Sequence, residues 1–326
     1  MNDRRSFMKT AGIAAALAMA GSARADGRSG RTEDFIRSVQ KARIFDLSHT
    51  WDENSPIAGV NPPYAMELAA THANTRGTFG DGGQLSFTSE IMKWSGQHGA
   101  PSIDAIGHIG YNGKLFGGVD AAASTSNPLG LGRSGVGAHL DIAHYPKELL
   151  VNRGVLLDVA RFVQGNSSPL PKDFAITDEH LADTAHHQGV KLKRGDTVLI
   201  RTGWGKLFTD DPVTYAGGPT GQEPAAGVAL SGAKFLVRNK ARVVGNDTLT
   251  FEVRPPLAFP PEVPAFQVFP VHLFLIPQNG VNIIENYFLE EIAKEREYEF
   301  LLVVPPIKIR GGTGSALRSF ALVPRG

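Results

Sequence analysis

The chain has 326 residues, 33 Lys and Arg against 32 Asp and Glu, a formal charge of +1, and no cysteine. That balance gives no electrostatic case for nucleic acid or an anionic membrane surface. Without thiols there are no disulfides, no thiolate metal sites and no cysteine nucleophile, so any metal must be held by His, Asp, Glu and water.

The first residues, MNDRRSFMKT, carry Arg4-Arg5 ahead of an Ala-rich apolar run from Ala11 to Ala20 and the small-residue site Ala23-Arg24-Ala25. A charged start, a short apolar stretch and an A-x-A site describe an export signal. The arginine pair points to the twin-arginine route, a receptor-read address and not a membrane anchor. The expectation is a signal over 1–25, a single domain over 26–326 and a periplasmic location.

Residues 26 to 40 read as a polar leader into a short helix, and IFDLSHTW from Ile44 as a strand followed by a turn. Prolines 56, 62 and 63 make 53–64 an extended loop, and LSFTSEIMKW (85–94) suits a strand. RGVLLDVAR (153–161) and DTVLIRTGW (196–204) are short apolar runs bounded by turn signals, as in buried strands. Between them ITDEHLADTAHHQG reads as a helix with Thr177 at the N-cap and Gly189 near its end. His180 stands where a full capping box wants Glu or Gln, so only a partial cap is expected. SGAKFLVRNKA (231–241) is a helix, ARVVGNDTLTFE a strand, FPVHLFLIPQNGVNIIEN a helix and then a strand, and FLLVVPPIKIRG (300–311) a closing strand. Elements alternating in this way imply one α/β or α+β domain of several layers.

The stretch GQHGAPSIDAIGH sets His98, Asp104 and His108 at H-x5-D-x3-H, with glycines 96, 99 and 107 allowing a tight backbone. Imidazole and carboxylate suit zinc or manganese. By spacing alone this is a weak signal, which a polar loop with scattered histidines also satisfies. AHLDIAH offers a rival in His139, Asp141 and His144. His186-His187 reads as solvent-facing, Asp247 as orienting a loop or a histidine, and His49 as core, surface or pocket border. Glu285, at a strand edge after an apolar helix, needs a partner, either a metal or an arginine.

The flanking sequence adds a resemblance. HGAPSIDAIGH has the length of the motif H-x-G-T-H-x-D-x-x-x-H, and GYNGKLFGG, RGVLLDVAR, GDTVLIRTGW, GNDTLTFE, PVHLFLIPQNGVNIIEN and GGTGSALR follow in order across residues 44 to 318. In this the chain resembles the cyclase family of metal-dependent hydrolases, which includes bacterial kynurenine formamidase and isatin hydrolase. The resemblance implies a swivelling β/β/α fold with a mixed sheet core, an α/β single domain, and a homo-oligomer. It implies a divalent metal, Zn or Mn, on His98, Asp104, His272 and Glu285, with His108 handling the proton. The family's second histidine is Ser102 here, and its Gly-Thr pair is Ala100-Pro101. Serine is a poorer ligand than imidazole, so the site reads as reduced, with Ser102 a contact for water or substrate.

The implied reaction is arylformamidase-like cleavage of an amide or cyclic amide in a small aromatic substrate, of the kind met in tryptophan catabolism. Trp51, Tyr64, Phe87 and Trp94 are candidate pocket walls. Two other readings stay open: a lactone or cyclic imide hydrolase, and a non-catalytic periplasmic binding protein that keeps the fold.

Overall fold

A computed structural model describes residues 25–58, 61–62, 64–97, 99–219, 221, 223–254 and 269–325. The signal expected over 1–25 therefore lies almost entirely outside the described residues. The first helix runs Ala25–Lys41, longer than the short helix expected. Among the described residues no helix is long and apolar enough to cross a membrane.

The strands are β1 Arg43–Asp46, β2 Ala65–Ala70, β3 Ser89–Lys93, β4 Ser102–Asp104, β5 Val151–Leu157, β6 Ala175–Ile176, β7 Thr197–Ile200, β8 Gly227–Val228, β9 Val243–Asn246, β10 Asn282–Glu285, β11 Glu299–Val303, β12 Gly314–Ala316 and β13 Phe320–Val323. Nine of them form one mixed sheet in the order β1-β13-β11-β5-β7-β9-β10-β4-β12. Its centre, β5-β7-β9-β10, is parallel. Antiparallel pairs flank it on both sides, among them β11 on β5 and β4 on β10. This is the expected α/β domain with a mixed sheet core.

Side-chain alternation explains why the central strands read as continuous apolar runs. Val155, Leu157, Val198, Ile200, Val244 and Ile283 face a layer of helices that includes Asp178–His187, Leu230–Arg238 and Pro270–Asn279. Leu156, Leu199, Val243 and Ile284 face a second core built with Phe45, Leu47, Ile103, Ile292 and Leu302. Parallel strands buried on both faces need apolar residues at every position. Each such side chain contributes about 1.5–3 kcal/mol on burial.

Local details depart from the sequence expectations for identifiable reasons. RGVLLDVAR is a strand only to Leu157, because the Asp158 carboxylate accepts from Arg161 N at 3.1 Å and caps a helix, Val159–Gln164. LSFTSEIMKW is a strand only from Ser89, and it pairs with β2, for which the sequence offered no expectation. The cap at Thr177 is complete and not partial. His180 N donates to Thr177 Oγ1 at 3.4 Å, and Thr177 N donates to His180 Nδ1 at 3.1 Å, so the imidazole does the work of Glu.

Candidate functional site

The register of β4 and β10 assembles the acidic part of the site. Ile103 and Ile284 are cross-strand partners and both enter the second core. Their neighbours Ser102, Asp104 and Glu285 therefore project from the opposite, helix-bearing face, with Ser102 directly opposite Glu285. Asn282 Nδ2 donates to the Asp104 carbonyl at 2.7 Å and locks the two strands together. The preceding loop is held by three successive carbonyls. Gly99 O accepts from Asn286 Nδ2 at 3.1 Å, Ala100 O from His49 N at 2.8 Å, and Pro101 O from Leu317 N at 2.9 Å. The Ala100–Pro101 peptide is cis.

His272 descends onto this face from the helix Pro270–Asn279, near the helix N-terminus. Glu252, buried to 1% exposure, accepts from Val271 N at 3.1 Å and from His272 N at 3.2 Å. Those are free amides of the helix's first turn, where a carboxylate is favoured. The same carboxylate pairs with His272 Nδ1. The other ring nitrogen, Nε2, is thereby turned toward Glu285 Oε1 at 3.3 Å and Asp104 Oδ2 at 3.9 Å. A carboxylate behind one imidazole nitrogen, with the other facing acidic groups, is the support that metal-ligating histidines have.

His108 completes the group, its Nε2 3.8 Å from Asp104 Oδ1. It is 27% exposed where Asp104 is nearly sealed, so it stands between the acidic cluster and solvent.

The electrostatics show a surplus of buried negative charge. Burial pushes the Glu285 carboxyl up to about 7, and Asp104 adds to the rise while His272 opposes it. Burial also disfavours a charged His272, but hydrogen bonds to Glu252 and Glu285 outweigh it and raise the imidazole well above its ordinary value. Three carboxylates surround one imidazole, a donor set whose charge and oxygen and nitrogen atoms fit a divalent cation. Among the described residues no three His, Asp or Glu side chains stand in a ready-made metal cage. Asp104 and Glu285 both lie toward His272 Nε2, and His98, the remaining expected ligand, lies outside the described residues.

The other expected residues divide. Trp51 meets Tyr64 edge-on, ring centroids 4.6 Å apart, and packs against the core layer that holds Ala100 and Val271. Phe87 packs on Phe79 at 5.8 Å and is more than a third exposed. Trp94 is half-buried at the end of β3. The rival cluster is structural. The Asp141 carboxylate pairs with His144 Nδ1 at 2.6 Å and accepts from Gly311 N at 2.6 Å, so both oxygens are used. His186 and His187 are exposed, as expected.

Asp247 orients a loop, accepting from Thr202 N at 2.8 Å, Thr202 Oγ1 at 2.7 Å and Gly203 N at 2.9 Å. Burial raises its carboxyl to about 6, against the pull of Arg201. His49 stacks on Phe208 at 4.1 Å, and burial lowers its imidazole to about 4. Glu252 is the site residue that sequence reasoning missed. Its signal was a carboxylate at the end of an apolar strand pattern, the argument already applied to Glu285.

The Cyclase family model matches residues 45–253. A search of curated proteins returned no match. Among solved structures, one described as a novel cyclase is 29% identical, with a TM-score of 0.72, covering 88% of this chain and 90% of its own. Isatin hydrolase A from Ralstonia solanacearum is 17% identical with a TM-score of 0.66, over 93% of this chain and 99% of its own. A protein described as a predicted metal-dependent hydrolase from Bacillus stearothermophilus is 20% identical with a TM-score of 0.51, over 86% and 98%. The last two show likeness of fold alone. With residues 45–253, well over half of its length, matched by the family model, this chain belongs to the cyclase family.

Proposed function

We propose that the protein is a metal-dependent hydrolase of an amide or cyclic amide, arylformamidase-like, acting on a small aromatic substrate. The observation that carries this reading is the convergence of Asp104, Glu285 and His272 Nε2, with Glu252 fixing the imidazole from behind. His98, Asp104, His272 and Glu285 would hold a divalent ion, Zn or Mn. When bound, such an ion supplies Lewis acidity at a carbonyl and lowers the pKa of water beside it.

The chain's own part is proton handling and placement. His108 Nε2, at the exposed side of the acidic cluster, takes the proton of the attacking water. It returns that proton to the nitrogen as the C–N bond breaks. Amine leaving groups need this second transfer, which favours an amide over a lactone. The step is worth ~10²–10⁴-fold in rate. Ser102, opposite Glu285, would hold water or a substrate oxygen. The Trp51–Tyr64 pair offers an aromatic wall, and Phe87, two residues before β3 and more than a third exposed, is the weakest of the four candidates.

Formanilides, lactams and lactones assayed with added Zn²⁺ and Mn²⁺ test the reading. Asp104→Ala should lose both metal and turnover, Asp141→Ala should keep both, and His108→Ala should keep metal while losing turnover. Turnover of lactones alone would move the assignment to C–O bonds, and binding without turnover would make this a binding protein. Export and assembly belong to the same proposal. Arg4→Lys with Arg5→Lys should retain the protein in the cytoplasm, and sedimentation should give a homo-oligomer.

A further inference from the structure

We propose that Asn286 is a positioning residue for the metal site, its side-chain amide clamping the loop after His98 to the strand end that carries Glu285. The inference rests on the metal-site reading above and not on which bond is cleaved.

Asn286 breaks the alternation of β10. Ile284 enters the second core, and Glu285 turns to the opposite face, toward His272. A regular extended residue at 286 would point back to the face of Ile284. Its φ is +63 instead, a left-handed value that asparagine tolerates better than most residues with a Cβ. The side chain consequently meets Tyr215, which belongs to the helix-side core, and stays on the side where Glu285 points.

Three polar groups of Asn286 are then engaged. Its backbone N–H donates to Thr248 O at 3.0 Å, and the next amide, Tyr287 N, donates to Asn246 O at 3.0 Å, so the turn after β9 fixes the backbone. Side-chain Nδ2 donates to Gly99 O at 3.1 Å. A carbonyl oxygen only accepts, so the amide NH2 must face Gly99 and the amide oxygen must face Tyr215. The Tyr215 hydroxyl donates to that oxygen at 2.9 Å. Asn286 is 4% exposed and Tyr215 1%, so water does not compete for these bonds.

Gly99 directly follows His98, and Asn286 directly follows Glu285. One hydrogen bond between residues 187 positions apart therefore ties together the neighbours of two expected ligands. Asn282 acts in the same way at the other end of the motif, holding the carbonyl of Asp104 at 2.7 Å. The two asparagines, one at the start of β10 and one just past its end, bracket residues 99–104. Glycine alone would satisfy φ at 286, so what asparagine adds is the amide that reaches the loop. A metal ion tolerates little error in ligand separation, and the groups that hold its ligands in place set its affinity.

The test uses the full-length protein stripped of metal with EDTA. Zn²⁺ affinity is measured by competition with a chromophoric chelator in wild type, Asn286→Gly, Tyr215→Phe and Lys240→Gly. The last replaces an exposed residue at φ +62 and reads the cost of glycine at such a backbone. Hydrogen–deuterium exchange of the loop 96–101 is followed in the same metal-free proteins. Asn286→Gly should bind Zn²⁺ about tenfold more weakly and raise loop exchange about 5- to 10-fold. Tyr215→Phe, which frees the amide oxygen and leaves the clamp, should do both by about two- to threefold. Lys240→Gly should match wild type in both. Wild-type Zn²⁺ affinity in Asn286→Gly overturns the inference even where the loop exchanges faster, because the asparagine would then hold only the fold. Should Asn286→Gly not fold, wild-type affinity in Tyr215→Phe overturns it equally. A wild type that binds no Zn²⁺ removes the metal site and this inference with it. Zn²⁺ binding that depends on Asn286, without turnover of any amide, would fail the hydrolase reading and leave the clamp standing.

Discussion

Two strand pairs in this molecule are both antiparallel and have opposite surroundings. In β4–β10 the pairs Ile103–Ile284 and Ser102–Glu285 lie between two packed layers. In β2–β3 every residue of β3 is exposed, and so are the apolar Met66, Leu68, Ile91 and Met92. Strand pairing alone therefore does not make a site. What makes β4–β10 chemical is that its carboxylates are cut off from water, so Glu285 must share its charge with His272. On β2–β3 a glutamate such as Glu67 or Glu90 is solvated and needs no partner.

The sharpest way to break the comparison is truncation at matched positions. Ile284→Ala should cost about 2–5 kcal/mol in chemical denaturation, because it leaves a cavity under the site. Ile91→Ala should stay within about 0.5 kcal/mol of wild type. Equal losses at both positions would mean the ribbon is buried in the protein as it exists in solution.

Acid stability measures the packing that holds the site loop from the other side. His49 donates its backbone N–H to Ala100 O, and its ring titrates near 4 against an ordinary 6.5 because of burial. Between those pH values the unfolded chain binds a proton that the native state refuses, so stability is full above about 6.5 and falls as pH drops toward 4. The effect is on the order of 3 kcal/mol at most. Denaturation midpoints of His49→Phe should vary less over that range than those of wild type. Parallel profiles for the two proteins would show that His49 titrates normally.

Glu252→Gln probes the support behind the imidazole. Metal affinity should fall by about 10–100-fold, as for other losses of a carboxylate behind a ligating histidine. Competition with a chromophoric chelator reads this directly, and unchanged affinity would place His272 outside the ligand set.

Ser102→His is the smallest change and the most informative about register. Residues directly opposite across a strand pair have Cβ atoms about 4.5–5.5 Å apart, so an imidazole at 102 should reach an ion held by Glu285 as proposed. We expect affinity to rise by about tenfold in the same chelator competition. No change would mean that residue 102 turns away from the metal.

The sheet was legible because its central strands bury both faces. VLL at 155–157 and VLI at 198–200 can only be fully buried, and the helices between them carry end signals in Thr177 and Gly189. The resemblance placed Asp104, His272 and Glu285, and the structure brings those three together. Glu252 carried only the signal of a carboxylate at the end of an apolar strand pattern. Its place behind His272 depends on an irregular stretch beyond β9 folding back on β8, a contact that no local spacing encodes. The capping histidine escaped for a different reason. His180 accepts through a ring nitrogen where the sequence rule expects a carboxylate oxygen.

The position of β4 also bears on biosynthesis. Its two neighbours in the sheet, β10 and β12, are both drawn from the last fifth of the chain. At ~5–20 residues per second of translation, the roughly 180 residues between Asp104 and Glu285 take about 10–40 s to make. Throughout that interval the motif strand has no neighbour to pair with, and the carboxylate opposite Ser102 does not yet exist. A nascent chain thus cannot bring Asp104 and Glu285 together, and an ion held by both as proposed would have to be acquired after the carboxy-terminal strands have closed the sheet.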